Sequence, residues 1–378
     1  MRITKLPIIL RLEPLEVSTL VLGPPGVGKS EIIRQYAEER AEELKLRFID
    51  LDEADPSLAL EDLKEVFAFK DLRLTDVADV SDLVGFPRVR DGFAEYVPWR
   101  WIYCLKYAAA GVLFLDELTN VQRQDIIAAA YKLTNERKLG FIKLPLTVQI
   151  IAAGNSPEHS SLANELPTPL VSRFQVIQVD PPSLQEWVDH MSRTYGSNWD
   201  TRIAGYLNCF LSDFIAVPKE PMTLQPYPCP RSWTRLGLKL KALSPSPSTA
   251  STSQKGLLEE IAQSLVGPEV GARFAAFCSI NVDLEQLLHR PEQFSALNTE
   301  GKWLASTMLA SRIMAKGVER PGLNLLGEML KSGAEFVVLI FTILPAQSRL
   351  KLWESLRSDP GLRKQISALG AALQPYVF

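Results

Sequence analysis

Gly23-Pro24-Pro25-Gly26-Val27-Gly28-Lys29-Ser30 satisfies the pattern Gly-x4-Gly-Lys-Ser/Thr. Chemically this is a cradle for phosphate. Glycines let the backbone wrap closely around phosphate groups with its N–H groups turned inward, and a helix that follows presents its positive end to the same charge. Lys29 is then placed to neutralise the β and γ phosphates, and Ser30 to give an oxygen to Mg²⁺. The flanking sequence suits this role. An apolar strand, Thr19 to Leu22, precedes the loop, and afterwards Ile32, Ile33, Tyr36 and Ala37 recur at helical spacing opposite Glu38, Glu39 and Arg40.

A phosphate loop of this kind needs a further carboxylate for the metal, and two segments offer one. Val112-Leu113-Phe114-Leu115-Asp116-Glu117 has the form of a central strand, buried on both faces, with acids at its C-terminal tip. Ile49-Asp50-Leu51-Asp52-Glu53 is interrupted by Asp50, and Asp52 and Glu53 read as a solvated loop start. Asp116 is therefore assigned to Mg²⁺ through water, and Glu117 to the attacking water as general base. An adjacent Asp-Glu pair points to hydrolysis by water and away from phosphoryl transfer to a small-molecule hydroxyl. The run Ala152-Ala153-Gly154-Asn155-Ser156 brings a polar amide to the same edge, where Asn155 can hold that water. Because Lys29 alone cannot surround a γ-phosphate in transfer, Arg173 and Arg231 are the candidate additional cations. An arginine in that role contributes on the order of 10³ to 10⁵ in rate.

These residues are distributed over an alternating pattern of short β-rich runs and amphipathic stretches, which predicts an α/β fold. The expected strands are Thr19 to Leu22, Arg47 to Leu51, Gly111 to Leu115, Val148 to Ala153 and Gln175 to Val179. Phe86 to Val97 reads as a β-hairpin turning at Asp91-Gly92. Pro181-Pro182 ends the last strand, and the pattern beyond it is helical. The expected organisation is a nucleotide-binding α/β core over 1–182 with a hairpin insert at about 86–97, a helical lid over 183–285 and a C-terminal helical region over 286–378. Ser244 to Ser253 reads as a flexible loop.

The 378 residues are 46% hydrophobic, enough for several cores, and 41 Lys plus Arg nearly cancel 44 Asp plus Glu. No overall field exists to hold nucleic acid or acidic lipid by charge alone. Cys104, Cys209, Cys229 and Cys278 form no Cys-x-x-Cys pair and suit a reducing compartment. His159, His190 and His289 lack metal-ligand spacing. The N-terminus lacks the form of a secretory signal, and Phe336 to Leu344 is about half of the roughly 20 residues that span a bilayer. That run is expected to be a buried helix, and the protein is expected in the cytoplasm.

Taken in order, the phosphate loop, Asp116-Glu117, Asn155, Ser172-Arg173-Phe174 and Pro230-Arg231-Ser232-Trp233 resemble the AAA+ ATPases, and more closely the MoxR family. Asp55-Pro56-Ser57, Ser81 to Pro87 and the Asp91-Gly92 hairpin are similar to further blocks of that family, and the likeness covers about residues 17 to 240. It implies a P-loop core with a five-stranded parallel sheet in the order 5-1-4-3-2, against which residues 58–80 look like an insertion. It further implies that Asn155 is the sensor 1 residue, Arg173 an arginine finger reaching the neighbouring subunit's site, and Arg231 the sensor 2 residue. The cofactors implied are ATP and Mg²⁺. The assembly implied is a hexameric homo-oligomeric ring that remodels or activates a client protein, one with a von Willebrand A-type fold. Two alternatives use the same core: a nucleic-acid-dependent motor with Arg88, Arg90 and Arg100 on phosphates, and a scaffold whose ATP site sets assembly without turnover. Nucleic acid is not the expected partner.

Overall fold

The computed structural model describes residues 1–12, 16–54, 60–156, 164, 166–216, 225–243 and 252–362. Asp55-Pro56-Ser57, His159 and residues 244–251 of the Ser/Pro stretch lie outside them. The chain forms two compact units, Met1–Pro181 and Pro182–Phe378.

The first unit runs α1 (Leu6–Leu12), β1 (Ser18–Leu22), α2 (Lys29–Glu43), β2 (Arg47–Asp50), β3 (Val66–Arg73), α3 (Ser81–Val84), β4 (Phe86–Arg90), β5 (Phe93–Val97), α4 (Arg100–Tyr107), β6 (Ala110–Asp116), α5 (Gln124–Glu136), β7 (Lys138–Leu139), β8 (Ile142–Lys143), β9 (Val148–Gly154), α6 (Thr168–Val171) and β10 (Phe174–Gln178). Its main sheet is parallel throughout, in the order β10-β1-β9-β6-β3-β2. The parallel P-loop architecture expected from the sequence is present, with one correction to its strands. The sheet has six strands, and β3 stands between β6 and the strand expected beside it, leaving β2 at the outer edge. Residues 58–80 therefore contain a central strand of the sheet. The physical reason is burial: Val66 and Ala68 enter the core on one face of the sheet, and Phe67 and Phe69 the core on the other. Lys70 and Asp71 interrupt the apolar run, which is why its sequence reads as an excursion.

Helices cover both faces, as an all-parallel sheet requires. Leu6, Leu10, Ile33, Tyr36 and Ala37 from α1 and α2 fill one side, and Ile102, Leu105, Ile126, Ala130 and Leu133 from α4 and α5 fill the other. The Tyr36 hydroxyl donates to Gln149 Oε1 at 2.7 Å, satisfying a polar pair inside that first layer. Strands β3 and β6 approach so closely at Gly111 that an added Cβ would lie 2.4 Å from the Ala68 carbonyl oxygen. Gly111→Ala is accordingly expected to destabilise the protein by about 1–3 kcal/mol, the range for overpacking. The check is a lower urea midpoint at unchanged slope.

The β4-β5 hairpin forms with Arg90 paired to Phe93, and both turn residues, Asp91 (φ 51°) and Gly92 (φ 82°), are left-handed as a tight two-residue turn demands. Trp99 packs edge-on against Phe86 beneath it, ring centroids 5.4 Å apart.

The second unit is helical: α7 (Leu184–Tyr195), α8 (Arg202–Cys209), α9 (Pro230–Leu243), α10 (Thr252–Val266), α11 (Pro268–Cys278), α12 (Leu284–His289), α13 (Thr299–Lys316), α14 (Arg320–Ser332), α15 (Ala334–Ile343) and α16 (Ala346–Ser358). One continuous core, including Trp199, Tyr206, Trp233, Phe274, Phe294 and Phe341, runs across the boundary drawn from the sequence at residue 286. The apolar run at 336–344 supplies α15 to that core. Among the described residues no helix is long and apolar enough to cross a membrane.

Candidate active site

The phosphate loop joins β1 to α2. Gly26 (φ 75°) and Gly28 (φ 93°) both adopt left-handed backbone, which a residue with a Cβ enters at a cost. Gly28 accepts the N–H of Ile32 at 3.0 Å and so starts α2, whose first helical residue is Lys29. The Lys29 ammonium is buried and donates to three oxygens: Gly23 O at 2.9 Å, Pro24 O at 2.9 Å and Asn155 Oδ1 at 3.0 Å. One hydrogen bond thus links the loop to the tip of β9, the strand beside β1.

The next pair links the loop to β6. Ser30 Oγ donates to Asp116 Oδ2 at 2.7 Å, while the other oxygen of that carboxylate accepts the Glu117 backbone N–H at 2.8 Å. Glu117 itself has φ 60°, a strained conformation for a non-glycine residue that costs of order 1–3 kcal/mol. Its carboxylate accepts from Thr75 Oγ1 at 2.8 Å. Asn155 is held in turn by its backbone N–H, which donates to Thr119 Oγ1 at 2.8 Å. Lys29, Ser30, Asp116 and Asn155 therefore meet by direct hydrogen bonds at the C-terminal ends of three adjacent strands, where open parallel sheets bind ligands.

Three contributors escape the sequence reading. Thr75 and Thr119 are hydroxyls in ordinary turns, and nothing in their spacing announces a partner. Asp71 carries a legible signal, an acid closing the apolar run Val66 to Phe69, but only once β3 is seen as a strand. It lies opposite Phe114 in the β3–β6 register, hence on the same face as Asp116. Burial pushes its carboxyl up to about 6, with the negative charge of Asp116 adding to the shift. Its Oδ1 is buried with no hydrogen-bond partner.

Arg173 takes partners outside this cluster. Arg173 is exposed at the start of β10, where Nη2 donates to the Tyr131 hydroxyl at 2.8 Å and the guanidinium lies 4.9 Å from that ring's centre. Nη1 donates to Asn135 Oδ1. Arg231 is exposed in the first turn of α9, in the second unit. Asp52, read as a solvated acid, pairs with Lys70 near the edge of the sheet.

The donor set suits a divalent cation. Among the described residues no three His, Cys, Asp or Glu side chains gather into a closed cage. Mg²⁺ typically takes one or two carboxylates and completes its shell with water and substrate phosphates. The Ser30 hydroxyl and the Asp116 carboxylate, joined by a hydrogen bond, form such an open set.

No curated protein matches the chain. Among solved structures, NtrX from Brucella abortus in complex with ATP overlaps at a TM-score of 0.38 with 14% identity, over 93% of this chain and 66% of that one. The closed state of Hsp104 with ATPyS and FITC casein gives 0.38 with 15% identity, over 84% and 49%. The ORC2 protein of Aeropyrum pernix gives 0.36 with 10% identity, over 96% and 92%. The chain thus spans less than two thirds of the NtrX and Hsp104 chains, and overlaps at these scores carry no functional argument. The family match is more specific, because it runs from the first residue of β1 through β9 to the first residue of β10. Residues 18–174 match the AAA domain of the dynein-related subfamily, and over that segment the chain has the parallel α/β P-loop core of an ATPase.

Proposed function

We propose that the protein is a ring-forming AAA+ ATPase of the MoxR kind, which hydrolyses ATP at a seam between two subunits and uses the cycle to remodel or activate a client protein in the cytoplasm. The observation that carries the reading is the hydrogen-bonded convergence of Lys29, Ser30, Asp116 and Asn155 at the strand tips. In this reading Gly23 to Ser30 wrap the triphosphate, and Lys29 exchanges its carbonyl partners for phosphate oxygens. Ser30 and Asp116 hold Mg²⁺, which when bound supplies charge neutralisation and polarisation at the phosphates. Glu117 takes the proton of the attacking water, and Asn155 orients that water from the next strand. A cation is still required on the far side of the γ-phosphate. Arg173 supports a role in trans, since it is exposed and anchored on Tyr131 and Asn135 away from its own loop. Arg231 is assigned to the lid. The near-neutral charge balance favours a protein client over nucleic acid, and the resemblance to the MoxR family implies a client with a von Willebrand A-type fold.

The test is complementation between subunits. Arg173→Ala and Glu117→Gln are each expected to lower ATP turnover at least about 100-fold. Mixing the two purified variants should restore part of the activity, because some seams then combine an intact Glu117 with an intact Arg173. If no mixing ratio gives recovery, Arg173 does not act across subunits.

A further inference from the structure

Two acidic strand tips lie side by side in this sheet, and the established motifs account for one of them. Asp116 closes β6. Asp71, near the end of β3, projects to the same face, because Asp71 pairs in register with Phe114 and Asp116 lies two residues further along. The residues before it on that face, Phe67 and Phe69, are buried together with Val112 and Phe114 of β6. Asp71 is therefore directed by the pleat to the side of the sheet on which α2 and Ser30 lie.

A strand-end carboxylate with no task would turn to water or take a neighbouring cation. Asp71 does neither through Oδ1, which is buried and unpartnered. The neighbouring cations are engaged elsewhere: Lys70 pairs with the Asp52 carboxylate and gives the Asp71 backbone carbonyl, not its side chain, a hydrogen bond of 2.8 Å. Arg73 lies 3.8 Å from Asp76. A carboxylate on the same face as Asp116, with an orphaned buried oxygen, is tolerable where a positive ion is to be shared with that residue.

We infer that Asp71 is a positioning carboxylate of the divalent-cation site, delivered by β3 opposite Ser30 and Asp116. The inference rests on the reading of this site as one for a metal–nucleotide complex, and it assigns a task to the strand that separates this sheet from a five-stranded one. Asp71 acts on affinity and orientation of the ion and is not in contact with the reacting water.

The experiment measures binding, not turnover. A fluorescent ATP analogue is titrated against the full chain in EDTA and at rising Mg²⁺, for the unaltered protein, Asp71→Asn and Asp71→Glu. Asp71→Asn should raise the Mg²⁺ concentration for half-maximal tightening by about 10-fold or more, the usual effect of removing an outer partner of a metal site. Its affinity for the metal-free analogue should be equal or higher, since a negative charge near the phosphates is gone. Asp71→Glu should recover part of the Mg²⁺ response. An Asp71→Asn protein that binds the analogue with an unaltered Mg²⁺ midpoint overturns the inference and leaves the nucleotide site standing. Absence of analogue binding by the unaltered protein, with or without Mg²⁺, overturns the nucleotide reading itself. Should Asp71→Asn fail to fold by thermal denaturation, Asp71→Ser, smaller and neutral, is put to the same Mg²⁺ titration.

Discussion

Lys29→Ala is expected to weaken nucleotide binding about 100-fold or more, enough to remove a fluorescent ATP analogue from a micromolar-affinity site. The magnitude follows from two losses. The ammonium can no longer meet the β and γ phosphates, and a hydrogen bond to a charged group contributes about 1.5–3 kcal/mol, each 1.4 kcal/mol being tenfold. The loop also loses its internal tie, because Gly23 O, Pro24 O and Asn155 Oδ1 all accept from this one nitrogen. Equilibrium titration decides the matter, and a melting temperature near that of the parent protein shows that the fold survives. Binding within fivefold of the parent would mean that the phosphates sit elsewhere.

Glu117→Gln is expected to do the opposite to binding and as much to turnover. The amide keeps the size of the carboxylate and can still accept from Thr75 Oγ1, so the tip of β6 should retain its shape. What disappears is the base, and removing a positioned proton acceptor costs about 10² to 10⁴ in rate. Single-turnover measurements should therefore find ATP bound and uncleaved over times in which the parent protein converts it to ADP. Because Glu117 is held in a left-handed conformation at φ 60°, Glu117→Gly is a useful companion: it relieves that strain and removes the base, separating stability from chemistry.

How much of this could be read in the bare chain differs by residue. Lys29, Ser30, Asp116 and Asn155 each follow an apolar run that has to be a buried strand, so their arrival at one edge of the sheet is dictated by periodicity and by parallel topology. The helix carrying Ile33, Tyr36 and Ala37 was legible for the same reason. Strand β3 was not, because its register against β6 depends on contacts between segments about forty residues apart, and its Lys-Asp pair mimics a surface turn. The hydroxyls of Thr75 and Thr119 owe their partners wholly to tertiary register. Local spacing carries no trace of such pairings, and hydroxyls in turns are common.

The short turn after the acid pair, Leu118–Asn120, has a mechanical consequence. Thr119 uses its hydroxyl to receive the backbone of Asn155 and its carbonyl to receive the N–H of Asn164 at 2.7 Å, while Glu117 sits two residues before it. The group that would activate water and the group that would aim it are thus riveted to the same few atoms. Neither can drift without dragging the other, and a push arriving at either tip retimes both.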